Sequence, residues 1–136
     1  MIELRPSVRA GLVGHARDAA PAEACGLLGG RDGAPATATV AIPTPNVAER
    51  PRDRYVVDPE ALVAGQEALD ADGWDLLGFY HSHPRGPAQP SATDRERARW
   101  PDHATVIVSL AGAEPTLSAY TGPKLDPMAV ETVARR

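Results

Sequence analysis

Apolar positions along the chain recur at two spacings, which predict both helices and strands. The apolar residues of 6–20 recur at helical spacing, and Ser7 is a candidate N-cap for that helix. A second helix is predicted with Asp58 as its cap, Pro59 at its first position and Gly73 after its end. Each of these helices has an apolar stripe that must pack against another element.

Short apolar or alternating runs predict about six strands. They lie at residues 24–30, 36–45, 54–57, 74–83, 104–110 and 116–121. We expect the first two to pair as a hairpin. The run 74–83 is apolar on both faces until its last residues, which indicates a strand in the middle of the sheet. Further short helices are predicted to begin near 91 and 126. The fold class is therefore α/β (α+β), with three or four helices, and we expect one domain over residues 1–136.

Composition and charge disfavour several classes of partner and site. The chain has 136 residues and a net charge of -4, which argues against a nucleic-acid partner or an anionic membrane surface. Cys25 is the only cysteine, so neither an internal disulfide nor a cysteine-based zinc cluster can form. The first residues lack the apolar core of a signal peptide, and no run approaches the roughly 18 apolar residues of a membrane span. We therefore expect a cytoplasmic protein.

Two of the four histidines stand at the end of the run 74–83, the predicted strand that looks most buried. Residues two apart in a strand point to the same face, so His81 and His83 project together. Such a pair suits zinc, although two exposed histidines on a fraying strand would show the same spacing. A proline-rich loop then leads to Asp94, which would complete three protein ligands and leave one position open.

Asp94 has a second interpretation. Ser91 and Asp94 fit a capping box, in which the carboxylate only helps to start a helix. Thr93 and Glu96 fit an overlapping box, which would leave Asp94 free to bind metal. We favour the ligand interpretation and leave the capping alternative open.

A zinc-dependent hydrolysis also needs a general base. Glu23 is a lone acid just before an apolar strand, and its alternative is a solvated charge at a helix–strand junction. The remaining candidates are interpreted as structural. We expect His15 at the edge of a helix's apolar stripe, His103 on the surface and Cys25 as a small core residue.

These residues together resemble the JAMM motif of the MPN+ metalloproteases, E…H-[ST]-H-P-x6-S-x2-D. The matching positions are Glu23, His81-Ser82-His83-Pro84, Ser91 and Asp94, and both spacings agree. The blocks EACGLLGG, RYVVDP, GFYHSHP, PSATD and VIVSL also resemble the short bacterial and archaeal members. The resemblance covers most of residues 7–121, and the tail from about 122 lies outside it.

The resemblance implies a role for each residue of the motif. His81, His83 and Asp94 would bind zinc, Glu23 would orient and deprotonate the attacking water, and Ser91 would stabilise the oxyanion. It also implies a curved mixed sheet packed between helices, a fold related to the cytidine deaminases. Deaminase chemistry itself is excluded, because the chain has no P-C-x-x-C sequence.

The same resemblance implies a substrate class. We expect cleavage after the C-terminal Gly-Gly of a ubiquitin-like protein, with the trimming of a sulfur-carrier protein as the first choice. One alternative is a deconjugase that removes ubiquitin-like modifiers from lysines, and another is a zinc-binding but inactive adaptor. The polar loop 46–53, with Arg50, Arg52 and Arg54 in or beside it, would contribute to partner docking, or else be a solvated loop.

Overall fold

The computed structural model describes residues 1–134 and arranges them as eight strands and three helices. The elements are β1 (Ile2–Leu4), α1 (Pro6–Ala19), β2 (Cys25–Arg31), β3 (Ala36–Thr44), α2 (Pro59–Ala71), β4 (Asp75–His83), α3 (Ala92–Glu96), β5 (Ala104–Ser109), β6 (Thr116–Thr121), β7 (Asp126–Met128) and β8 (Val130–Thr132).

All eight strands belong to one curved, mixed sheet in the order β7-β6-β5-β4-β2-β3-β1-β8. Strand β2 is antiparallel to both β3 and β4, whereas β4 is parallel to β5. The predicted hairpin and the central position of β4 are both confirmed. His81 and His83 therefore stand on a strand that is paired along both edges.

Helices α1 and α2 cover opposite faces of the sheet. Leu12 of α1 packs in one core with Leu28 and Tyr80. Gly65 of α2 lies over the other face, where an added Cβ would come within 2.9 Å of Leu27. Neighbouring residues of a strand point to opposite faces, so Leu27 and Leu28 divide the two layers. Each fully buried leucine stabilises the fold by about 1.5–3 kcal/mol.

The start of α2 is as predicted, and the start of α1 is not. Asp58 caps α2 by accepting a hydrogen bond from the Ala61 N–H at 3.3 Å. The N-cap prediction for Ser7 is wrong, because α1 begins at Pro6 and places Arg5 at the N-cap. Proline suits the first helical position because its missing N–H would have no partner there.

The predicted strand at 54–57 is also wrong. Within residues 1–134, this segment forms only an isolated bridge, between Asn46 and Val57, and no strand ladder. The Asn46 side chain bonds the Arg54 carbonyl and the Val56 N–H, at 3.0 Å each. These groups would otherwise be available to a strand ladder, so one side chain replaces the pairing that the apolar pattern predicted.

The predicted C-terminal helix is two short strands instead. Strand β7 pairs with β6 at one edge of the sheet, and β8 pairs with β1 at the other. Unpaired edge groups attract extended chain, and this outweighs the helix-start signal of the Asp-Pro pair. Residues 135 and 136 of the predicted helix lie outside the described residues. Strand β1, with only three residues, was not predicted.

Within residues 1–134, no helix has both the length and the apolar character that a membrane span requires.

Candidate metal centre

Three segments of chain bring four polar side chains together at the end of β4. His81 and His83 lie at that end, and Cys25, the first residue of β2, pairs with His81. Glu23 is therefore close by, and the first turn of α3 supplies Asp94. One ligand atom from each of these residues lies within 4.8 Å of the other three, and all four residues are buried.

The two histidines and Asp94 share one focus. Oδ2 of Asp94 lies 3.1 Å from Nε2 of His81 and 3.1 Å from Nε2 of His83. Two ligands of one tetrahedral zinc ion, each about 2.1 Å from it, would be about 3.4 Å apart. The observed spacing is close to that value, and two imidazoles with one carboxylate are a ligand set that suits zinc.

An unpartnered buried atom also fits a bound ion. Within residues 1–134, Oε1 of Glu23 is buried without a hydrogen-bond partner. Buried polar atoms in native proteins are nearly always paired, because an unpaired one costs about 1–3 kcal/mol. An ion and the water that it carries would provide a partner for the Glu23 oxygen.

The two imidazoles are oriented by different contacts. Nδ1 of His83 lies 2.8 Å from the Pro87 carbonyl, to which it can donate, and this leaves Nε2 free to bind a metal. The ring of Tyr55 stacks on His81, with centroids 4.4 Å apart and planes 23° apart. Burial raises the pKa of Tyr55, so its ring stays neutral.

Asp94 caps the start of α3 and also contacts both histidines. Its N–H donates to Ser91 Oγ at 3.0 Å, and its Oδ2 accepts from the Ser91 N–H at 2.9 Å. The same Oδ2 faces the two histidines, so the capping box and the approach to the metal centre coexist. The box predicted for Thr93 and Glu96 is wrong, because α3 already begins at Ala92.

The pKa values of the two carboxyl groups are shifted in opposite directions. Burial raises the pKa of Glu23 to about 7, and the positive charge of His83 opposes this shift. Burial acts in the same direction on Asp94, but hydrogen bonds from His81 and His83 outweigh it and hold the pKa of Asp94 well below its usual range. Burial lowers the pKa of His81, whereas the bonds of His83 to Asp94 and Pro87 overcome burial and raise its pKa. Asp94 therefore suits a permanent anionic ligand, and Glu23 suits proton exchange.

Two residues to which the sequence pattern gave no role hold Glu23 in place. Ser82 Oγ accepts the N–H of Ala24 at 2.7 Å, next to Glu23. Asn46 donates from Nδ2 to the Glu23 carbonyl at 3.0 Å. A sequence signal existed for Asn46, because asparagine beside a proline-rich turn often bonds local backbone. It did not indicate a carbonyl 23 residues away.

The residues interpreted as structural lie outside the ligand cluster. His15 Nδ1 and Tyr80 Oη are 2.7 Å apart, on the other side of β4. Cys25 is buried, with its thiol beside Thr44. His103 is half-buried with its ring against Trp100, so its predicted surface exposure is only partly right.

Cavities open on both sides of the cluster. One, of about 320 Å³, is lined by His81 and Asp94. The other, of about 390 Å³, is lined by Glu23, His83 and Ser91.

Residues 5–121 match the family model described as prokaryotic homologs of the JAB domain. The desampylase of Haloferax volcanii is 43% identical over 133 residues, which are 95% of this chain and 94% of that protein. The CysO-cysteine peptidase of Mycobacterium tuberculosis is 37% identical over 110 residues, which are 80% of this chain and 73% of that protein.

A solved structure agrees with the fold. The solution structure of a Desulfitobacterium hafniense protein superposes with a TM-score of 0.89 at 33% identity, and it covers 99% of this chain and 94% of its own.

Proposed function

The chain belongs to the family of prokaryotic homologs of the JAB domain, and from this premise we propose that it is a zinc metallopeptidase acting on ubiquitin-like proteins. The bond to be hydrolysed follows the C-terminal Gly-Gly of such a protein. The observation that carries the proposal is the convergence of His81, His83 and Asp94 with a buried, unpaired Glu23 oxygen. A zinc-binding but inactive adaptor would have no need for a general base in that position.

His81 and His83, through Nε2, and Asp94, through Oδ2, would hold the zinc. Zinc in such a site polarises a substrate carbonyl and makes a bound water more acidic. Glu23 takes a proton from the attacking water at Oε1 and later gives it to the leaving amine, as the carbon–nitrogen bond breaks. The raised pKa of Glu23, about 7, suits transfer in both directions.

Ser91 would assist at the substrate carbonyl. Its Oγ already accepts the Asp94 N–H, so the hydroxyl hydrogen remains available for donation. Ser91 lines the same cavity as Glu23 and His83. A substrate carbonyl there would receive that hydrogen bond as its negative charge develops.

Replacing Ser91 by alanine should therefore reduce both turnover and stability. We expect kcat to fall by about 10²–10³ with little change in KM, because the lost bond forms mainly in the transition state. Loss of the cap should also cost about 1 kcal/mol of unfolding free energy. Asp58→Ala is the matched control, since it removes the cap of α2 alone. If the two variants lose similar stability and both keep full turnover, Ser91 is only a cap.

Two kinds of scissile bond are compatible with this proposal, and each is supported by similarity to a different relative. Similarity to a CysO-cysteine peptidase supports our first choice, the trimming of cysteine or a C-terminal extension from a sulfur-carrier protein. Similarity to a desampylase, at higher identity and coverage, supports the removal of a modifier protein from lysine side chains. Both reactions leave the same Gly-Gly end on the ubiquitin-like product.

The test compares three substrates. They are a carrier–Gly-Gly–Cys fusion, the same carrier joined through Gly-Gly to a lysine side chain, and a six-residue peptide with the ending of the fusion. We expect kcat/KM for at least one carrier substrate to exceed that for the peptide by at least about tenfold. A flexible tail costs roughly 1–2 kcal/mol per residue to order, and a folded carrier can offset this with further contacts.

A chelator should abolish the cleavage, and added zinc should restore it. Equal kcat/KM for carrier and peptide would instead indicate a general zinc peptidase. No cleavage of any of the three substrates, with zinc bound, would favour the adaptor.

A further inference from the structure

Two arginines line a pair of adjoining cavities beside the metal centre. Arg54 and Arg97 line the cavity of about 320 Å³ that contains His81 and Asp94. They also line a cavity of about 360 Å³ that extends away from the metal centre. We call Arg54, Arg97 and these two cavities the arginine cleft.

The arginines of the cleft lack partners within the described residues. Nε of Arg54 is buried without a hydrogen-bond partner. Neither Arg54 nor Arg97 forms an ion pair within residues 1–134. Glu49 nevertheless lines the cavity of about 360 Å³, which we call the outer cavity. A partly desolvated guanidinium without an acceptor is unfavourable, and a carboxylate matches its planar donors well.

The backbone of Arg54 is fixed relative to the metal centre. Its N–H donates to the Arg50 carbonyl at 3.1 Å, and its carbonyl accepts from Asn46 at 3.0 Å. The same Asn46 amide binds the Glu23 carbonyl, and the next residue, Tyr55, stacks on His81. A group bound at Arg54 is therefore held at a set position relative to Glu23 and His81, which lowers the cost of ordering it.

The positive charge here is local. The whole chain carries a net charge of -4, which disfavours long polyanions such as nucleic acids. The outer cavity nevertheless has Arg50, Arg54 and Arg97 against the single acid Glu49. A small number of carboxylates on another protein is the anion that fits this distribution.

We propose that Arg54 and Arg97 bind acidic side chains on the folded body of the ubiquitin-like protein whose C-terminal tail enters the metal centre. This inference rests on the proposed function and adds to it a docking surface with a stated charge.

The position of the outer cavity assigns the carboxylates to the folded body and not to the tail. His81, His83, Asp94 and Glu23 are all absent from its lining. Arg97 is exposed at its entrance. A carboxylate bound there is outside the cavity that contains the reacting bond, where a folded partner would rest.

The three arginines in or beside the polar loop line different cavities. Arg50 and Arg54 face the arginine cleft, whereas Arg52 lines the cavity on the Glu23 side of the metal centre. Only the first two belong to the proposed docking surface.

The test measures binding in a Glu23→Gln background, so that the probe is not consumed. The probe is a ubiquitin-fold sulfur-carrier protein ending in Gly-Gly-Cys, and the readout is its Kd at low and at high salt. We expect Arg54→Gln and Arg97→Gln each to raise Kd about three- to tenfold and to weaken its salt dependence. Arg17→Gln is the matched control, because it removes the same charge from an exposed position on α1.

A second arm identifies the source of the carboxylate. The carrier is remade with the acidic side chains around its tail changed to Asn and Gln. This carrier should bind more weakly to the arginine-intact protein and should be indifferent to Arg97→Gln, as a double-mutant cycle requires. The six-residue peptide with the same ending should be indifferent to both arginine substitutions.

Three results would overturn the inference. The first is a Kd that Arg54→Gln and Arg97→Gln change no more than Arg17→Gln does. The second is an arginine effect of equal size on the peptide, which would assign the carboxylate to the tail. The third is no binding of the carrier at all. Failure of the proposed function is separate, because it would appear as no cleavage by the protein with Glu23 intact.

Discussion

Glu23→Gln is expected to keep its zinc, and its kcat is expected to fall by about 10²–10⁴-fold. This range is typical of a general acid–base group. Glutamine preserves the size of the side chain but cannot take a proton at Oε1. The His81 and His83 nitrogens both face Asp94 at 3.1 Å, so the ligand set does not depend on Glu23. Metal analysis and steady-state kinetics on the same preparation measure the two effects.

Glu67→Gln is a suitable control, since it removes a carboxylate from an exposed position on α2. It should leave both metal content and kcat unchanged. Loss of zinc together with activity in Glu23→Gln would make Glu23 a ligand. Full activity would remove it from the mechanism.

The second large effect is expected from the ligands. The purified protein should hold one zinc per chain, and His81→Ala, His83→Ala and Asp94→Ala should each lose most of it and nearly all turnover. With two protein ligands left, the site falls below the three that hold a catalytic zinc. Metal content after dialysis measures the loss directly.

Asp94→Ala needs its own control because it also breaks a capping box. Asp58→Ala loses a comparable helix cap and should keep its full metal content. If Asp94→Ala also keeps full zinc occupancy while its melting temperature falls, Asp94 is a cap and not a ligand.

The candidate site was predictable from the sequence as far as local geometry reaches. The period of a strand places His81 and His83 on one face, and the capping pattern places Asp94 in the first turn of α3. The sequence pattern treated capping and metal binding as alternatives for Asp94. In the fold, a single oxygen, Oδ2, makes both sets of contacts.

The errors fall where contacts between distant residues decide the structure. Nothing local to the Asp-Pro sequence at 126–127 shows that the edges of β6 and β1 are open, so the tail pattern predicted a helix. Likewise, residues 54–57 have strand character, but the Arg54 carbonyl and the Val56 N–H bond the Asn46 side chain. Sequence patterns indicate the local conformational preference of a segment, whereas hydrogen bonds to distant residues determine the conformation of these two segments.

Asn46 makes the polar loop and the candidate base behave as one cooperative unit. Its amide joins the carbonyls of Glu23 and Arg54 and the N–H of Val56. Displacing the Asn46 side chain would break all three bonds at once, so it holds or releases these segments together. A partner bound to this loop would therefore also restrain the backbone of Glu23, because the same amide holds both.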